Sequence, residues 1–94
     1  MAKGFVVSVT SLDDARFRLP RDLPVVVQPT DVGYVATFFD ANASMAGDTQ
    51  EEAVANLKAW LVDLLDDLES EAPERLGAGP ARQLAALRSV IQRA

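Results

Sequence analysis

The stretch 49–70 constrains the fold most, because its apolar residues recur at the spacing of an α-helix. Thr49 and Glu52 have the form of a capping box, in which each side chain accepts a hydrogen bond from the other residue's backbone N–H. The pattern predicts a helix that begins after Thr49 and ends near Glu69 or Ser70. One face of this helix must be buried against a sheet or another helix; its residues are Val54, Leu57, Leu61, Leu64, Leu65 and Leu68, with Ala53 and Trp60 widening the stripe.

The residues before this helix predict β-strands. Segments 25–28 and 34–39 are rich in β-branched and aromatic residues, which favour strands. The five-residue loop between them ends in Gly33, and a glycine there supplies the positive φ of a hairpin that closes on a bulge. Residues 43–46 are expected to add a short edge strand. The region therefore predicts a hairpin followed by a third strand.

Shorter elements are predicted at the two ends of the chain. Segment 5–10 is β-branched, and after a Ser- and Asp-rich turn segment 15–19 alternates apolar and basic residues, which together predict an N-terminal hairpin. Pro80 suits a first helical position, and the apolar residues after it predict a short helix over 81–92, within a C-terminal helical extension of residues 77–94. The expected fold class is α+β: a small antiparallel β-sheet packed by one long α-helix, in a single domain of residues 1–94.

The aromatic residues of segment 34–39 bear on assembly. Alternation along a strand places Tyr34 and Phe38 on one face, and Phe39 on the other face with Val35 and Thr37. Aromatic residues on both faces imply that both faces are covered, one by the long helix and the other by the terminal helix or a second subunit. We therefore expect a homo-oligomer, most simply a dimer, with Tyr34 and Phe38 as candidates for oligomer or sheet-face packing.

The composition argues against several functional classes. The chain has no Cys and no His, so it lacks thiolate and imidazole ligands as well as the commonest general base. We therefore expect no enzyme, and assign no catalytic residue, cofactor or metal. The apolar run after Lys3 and Gly4 is too short for a signal peptide or a membrane span, which predicts a cytoplasmic protein without a membrane partner.

The acidic residues near the end of the long helix are the candidate binding site. The net charge is −5, which disfavours nucleic acid and favours a basic protein partner. The group comprises Asp63, Asp66, Asp67, Glu69, Glu71 and Glu74, at a helix end where the macrodipole disfavours negative charge. One interpretation is a solvated face partly neutralised by Arg82, Arg88 and Arg93 of a second helix that folds back. The other is a docking surface for a basic partner that includes Asp63, Asp66 and Asp67, and both interpretations can hold together.

The stretch 23–68 resembles the HicB-like antitoxin family. The residues that carry the resemblance are VVVQ at 25–28, GYVA at 33–36 and GDTQEEA at 47–53, with Asn56 and Leu57 continuing the helix. The last of these combines a turn, a cap and a helix start in a fixed order. The resemblance implies a ββ(β)α fold, oligomerisation, and neutralisation of a small basic HicA-like ribonuclease toxin in a bacterial toxin–antitoxin system.

The C-terminal segment limits what the resemblance implies. Many family members carry a C-terminal DNA-binding module, and residues 81–94 are too few for a ribbon-helix-helix or helix-turn-helix, so direct DNA binding is not expected. Two functional hypotheses stay open. The first is an antitoxin-like inhibitor, and the alternative is a stand-alone oligomeric scaffold or interaction domain of the same fold without a toxin partner.

Overall fold

A computed structural model describes residues 4–94 of the chain. Residues 1–3, which entered the expectation about a signal peptide, lie outside the described residues. In chain order the described elements are β1 (Phe5–Val9), β2 (Phe17–Arg18), β3 (Leu23–Pro29), β4 (Tyr34–Phe38), a 3-10 turn (Phe39–Ala41), β5 (Ala43–Gly47), α1 (Gln50–Ser70), a second 3-10 turn (Pro73–Arg75), α2 (Ala78–Val90) and β6 (Gln92–Arg93).

The main layer is a four-stranded antiparallel sheet in the order β1-β3-β4-β5, with α1 packed on one face. Side chains on that face alternate along each strand with side chains on the open face. Val25, Val27, Ala36 and Phe38 lie under α1 and are at most 1% exposed. The α+β class with a long helix on an antiparallel sheet is therefore confirmed.

The predicted N-terminal hairpin is wrong. β1 pairs with β3, from Phe5 opposite Val27 to Val9 opposite Leu23, and β2 pairs instead with β6 near the C-terminus. The turn residues do reverse the chain, since Phe17 N donates to Asp14 O at 3.1 Å. The alternation of apolar and basic residues around Phe17 does not mark a hairpin strand. It arises because the ring of Phe17 is buried, whereas its basic neighbours Arg16 and Arg18 lie in solvent.

The β3–β4 hairpin and the third strand, β5, are confirmed, but Gly33 works differently from the prediction. No glycine among residues 4–94 has a positive φ. A Cβ at Gly33 would overlap the carbonyl oxygen of Gly47, and a Cβ at Gly47 would overlap the backbone nitrogen of Ala53. The two glycines are therefore required by the close approach of β4, β5 and the first turn of α1.

The start and end of α1 agree with the prediction, whereas the width of its buried stripe does not. Thr49 is the N-cap, and its hydroxyl accepts from Glu52 N at 3.0 Å. The reciprocal bond of a full capping box is absent from the hydrogen bonds of the described residues. The prediction that Trp60 belongs to the buried stripe is wrong, since it is 36% exposed, whereas Val62 is only 7% exposed. The helix is covered on the side of Val62 because the connection after β1 lies beside it and brings Leu12 there.

α2 extends the core beyond the sheet. It begins three residues before the predicted start, and it packs on α1 and on the 3-10 turn Phe39–Ala41, where Gln83 Nε2 donates to Ala41 O at 2.8 Å. Leu84, Leu87 and Ile91 are buried there together with Phe17 of β2. α2 thus lies at the end of the sheet rather than on its open face.

The expectation of aromatic residues on both faces of β4 is also wrong. Tyr34 and Phe38 share one face, as predicted, and this is the face that α1 covers. Phe39 has left the strand for the 3-10 turn and is 65% exposed. The open face of the sheet therefore carries no aromatic side chain from β4, and the original reason for expecting a second subunit on it is lost.

Candidate functional site

The candidate site is a row of exposed side chains on α1, which we call the tryptophan–carboxylate face: Trp60, Asp63 and Asp67. Spacings of three and seven residues bring these side chains to one side of the helix. Asp63 and Asp67 are exposed, and Trp60 is 36% exposed. The row faces away from the sheet because the sheet is covered by the opposite stripe of α1.

The surrounding acidic residues are divided between internal ion pairs and solvent. Glu69 accepts from Arg88 Nε at 3.1 Å and from Arg93 Nη2 at 2.7 Å. Asp66 accepts from Arg16 Nη2 at 3.0 Å. Arg82, which was expected to neutralise the same group, donates instead to the backbone oxygen of Ala78 at 3.3 Å.

Arg16 lies directly before β2 and contacts α1. Its guanidinium donates to both carboxylate oxygens of Asp14 at 3.1 Å while it also contacts Asp66. The side-chain hydrogen bonds from Arg16 lower the pKa of Asp14, and the same carboxylates raise the pKa of Arg16. Arg16 and Arg93 also lie over the ring of Phe17, at 5.0 and 5.3 Å from its centroid. Asp66 is therefore part of the scaffold that holds β2 and β6 against the helix.

Asp63 and Asp67 have no ion pair with any residue in 4–94. Lys58 lines the same shallow depression as Asp63, of about 390 Å³, but its ammonium is held at 3.0 Å by Asp13. Of the three acidic residues predicted to bind a partner, the structure thus leaves two available and engages the third, Asp66, internally.

The other predicted residues have structural positions. Phe38 is 1% exposed in the core, so it packs the sheet face and offers no surface to a second subunit in the folded chain. Tyr34 is half-buried against the same core and lines a depression between the β3–β4 loop and the start of α1. Thr49 caps α1, and Glu52 supplies the backbone N–H that the cap binds.

Trp60 is the residue that sequence reasoning assigned to the wrong side. A helical projection places it only about 20° from Asp67 and about 60° from Asp63, which was the available signal for a shared face. It also lies within about 40° of the buried Leu64, so it stands at the border between the two sides. The residues packed around the helix decide which side such a border position joins.

Comparison of the chain with protein-family models, with curated proteins and with solved structures finds no match. Within residues 4–94, no group of three or more His, Cys, Asp or Glu side chains is arranged to hold a metal ion. Neither α1 nor α2 is long and apolar enough to cross a membrane.

Proposed function

We propose that the chain is a protein-binding domain of HicB-like fold that inhibits a small basic ribonuclease toxin. The observation that carries the proposal is the exposed Trp60 beside Asp63 and Asp67, two carboxylates that form no ion pair with any residue of 4–94. The resemblance to HicB-like antitoxins supports it, because the matching segments form consecutive elements from β3 to α1.

The composition of the tryptophan–carboxylate face suits a protein partner. Tryptophan is enriched among the residues that dominate binding energy at interfaces, where a partner covers its ring and excludes water around it. Carboxylates beside such an anchor attract a basic partner and raise the rate of encounter more than the final affinity. The net charge of −5 extends that attraction beyond the face itself.

The position of the carboxylates on the helix also favours binding. Asp67 lies in the last turn of α1, where the partial negative charge of the helix end disfavours another negative group. Glu69 in the same turn is compensated by Arg88 and Arg93, whereas Asp67 has no such compensation within residues 4–94. A cationic group from a partner would supply it.

The proposal predicts a small basic protein encoded beside this chain, and the test uses that protein. We expect that protein to degrade RNA and the purified chain to inhibit it. The double variant Asp63→Lys, Asp67→Lys should inhibit several-fold less well at low salt. The matched control is Asp31→Lys, Asp40→Lys, which makes the same charge change at exposed positions of the β3–β4 loop and the 3-10 turn, and it should inhibit like the native chain.

Three results would contradict the proposal. The first is the absence of such a neighbouring protein, or a neighbouring protein that neither degrades RNA nor binds the chain, which would favour the stand-alone scaffold. The second is full inhibition by the Asp63 and Asp67 variant. The third is an equal loss in the control variant, because the effect would then follow net charge rather than this face. Circular dichroism confirms that each variant is folded.

A further inference from the structure

The outer side of β1 is an unpaired edge of the sheet. β1 pairs with β3 on one side, and no strand within residues 4–94 pairs with its other side. Exposed edge strands normally carry a charge, a proline, a bulge or a covering element that prevents pairing with another chain. β1 reads FVVSV and contains neither a charge nor a proline. Its unpaired backbone groups are therefore a template for another strand.

The opposite edge of the sheet is contacted by α1 at the C-terminal end of β5. The side chain of Asn56 donates from Nδ2 to the carbonyl oxygen of Ala46 at 2.8 Å, so the helix binds a backbone group of β5. Gly47 approaches the backbone of the first helical turn so closely that a Cβ there would lie 2.7 Å from the carbonyl carbon of Glu52. α1 thus occupies a backbone group at one end of β5.

We propose that β1 pairs antiparallel with β1 of a second copy, which joins two four-stranded sheets across a twofold axis. Centring the pairing on Val7 aligns all five residues, with Val7 opposite Val7, Phe5 opposite Val9, and Val6 opposite Ser8. Every opposing pair is uncharged, so the strands meet without like charges face to face. The assembly closes at two copies because the twofold pairing uses the β1 edge of both.

The exposure of β1 fits this occupant. Phe5 is 39% exposed and Val6 is 65% exposed, although both are apolar residues inside a strand. On the inner side, α1 leaves a groove of about 350 Å³ between Val7 and the helix residues Val54 and Ala55. Pairing would place apolar side chains of the second copy beside Phe5 and Val7 and reduce the water contact of both.

The size of the contact sets its strength. A five-residue strand is about 17 Å long, so strand pairing alone buries a few hundred Å² per copy, against roughly 800 Å² in a standard interface. The dimer is therefore weak and reversible. Sedimentation velocity should show a shift from monomer towards dimer as the concentration of the native chain rises from about 5 to about 500 µM.

The decisive variant is Val6→Lys, Ser8→Lys. Both positions lie exposed on the open face of the sheet, and in the dimer each lysine would lie opposite a lysine of the other copy. It should stay monomeric throughout the concentration range. The control Val32→Lys, Ser44→Lys replaces the same residue types at exposed positions away from β1 and should dimerise like the native chain. Mixing the lysine variant with Val6→Glu, Ser8→Glu should restore the dimer.

A second measurement tests the proposal if the lysine variant does not fold. The chain has no cysteine, so Val7→Cys introduces a single thiol that would meet its own copy within disulfide distance. Mild oxidation should crosslink Val7→Cys and leave Val32→Cys monomeric. A native chain that is monomeric at about 500 µM, an undiminished dimer in the lysine variant, or equal crosslinking of the two cysteine variants would overturn the proposal.

Discussion

Replacing Thr49 with alanine tests whether the side-chain cap at the start of α1 stabilises the whole fold. The hydroxyl of Thr49 accepts from Glu52 N at 3.0 Å, and its extended backbone has φ −123° and ψ 166°. The variant loses this bond, but water can reach the freed N–H because the site is exposed. The cost is therefore that of an ordinary lost cap, about 1 kcal/mol, rather than that of a buried unsatisfied donor.

The assay is urea unfolding followed by circular dichroism at 222 nm. Thr49→Ala should lower the free energy of unfolding by about 1 kcal/mol without changing the slope with urea, and should lower Tm by roughly 4–8 °C in a domain of this size. Thr49→Ser keeps the accepting oxygen and is the matched control, so it should lose much less. Equal stability of the alanine variant and the native chain, or equal losses in the two variants, would refute this account of the helix start.

Two further predictions concern a close backbone approach and a charged contact. Gly47→Ala should lower the free energy of unfolding by about 1–3 kcal/mol or more in urea, because the new Cβ overlaps the backbone of Ala53. Gly79→Ala is the control, since a Cβ there meets nothing within 4 Å, and it should not lower the free energy of unfolding. An equal loss in the two variants would contradict the steric reasoning. Arg16 holds the pKa of Asp14 below its ordinary value of 3.8, so the stabilisation from this pair is present above about pH 4 and is lost as pH falls through the folded-state pKa. Asp14→Asn should therefore lose less stability on acidification below about pH 4 than the native chain. The same fall in the free energy of unfolding with pH in both proteins would contradict this role of the Arg16–Asp14 pair.

The parts of the fold that were predictable from sequence are those specified by neighbouring residues. The β3–β4 hairpin connects two β-branched runs through a short loop, and α1 is marked by its cap and its apolar period. Residues 47–53 combine both kinds of signal, since Gly47 permits the approach of the helix and Thr49 caps it. Each of these features needs only a few consecutive residues to act.

The parts that were mispredicted depend on residues distant in the chain. Segment 5–10 and segment 15–19 have strand character, but local pattern does not say which strand each will join. β1 pairs with β3 across a connection of 13 residues, 10–22, and β2 pairs with β6 at the other end of the chain. A hairpin between the two segments is favoured by their closeness in the chain. The pairing of β1 with β3 is formed instead, because the sheet buries more apolar surface.

The candidate site was only half predictable for the same reason. The cluster of carboxylates is visible in the sequence. The sequence does not show which of them form internal ion pairs, because Asp66 is paired by Arg16 from the N-terminal half of the chain. Trp60 stands at the border of the buried stripe, and its exposure depends on which neighbours pack against each side of α1. These two facts move the proposed contact from three aspartates to Trp60, Asp63 and Asp67.

The most direct test of the proposed function is fluorine NMR of Trp60 during titration with the small basic toxin that the proposal predicts. Trp60 is the single tryptophan of the chain, so labelling with 5-fluorotryptophan gives one resonance that reports on the tryptophan–carboxylate face. The account predicts that the resonance shifts with saturation and becomes less sensitive to a solvent relaxation agent. Binding detected by calorimetry while the Trp60 resonance keeps its position and its solvent sensitivity would contradict the account.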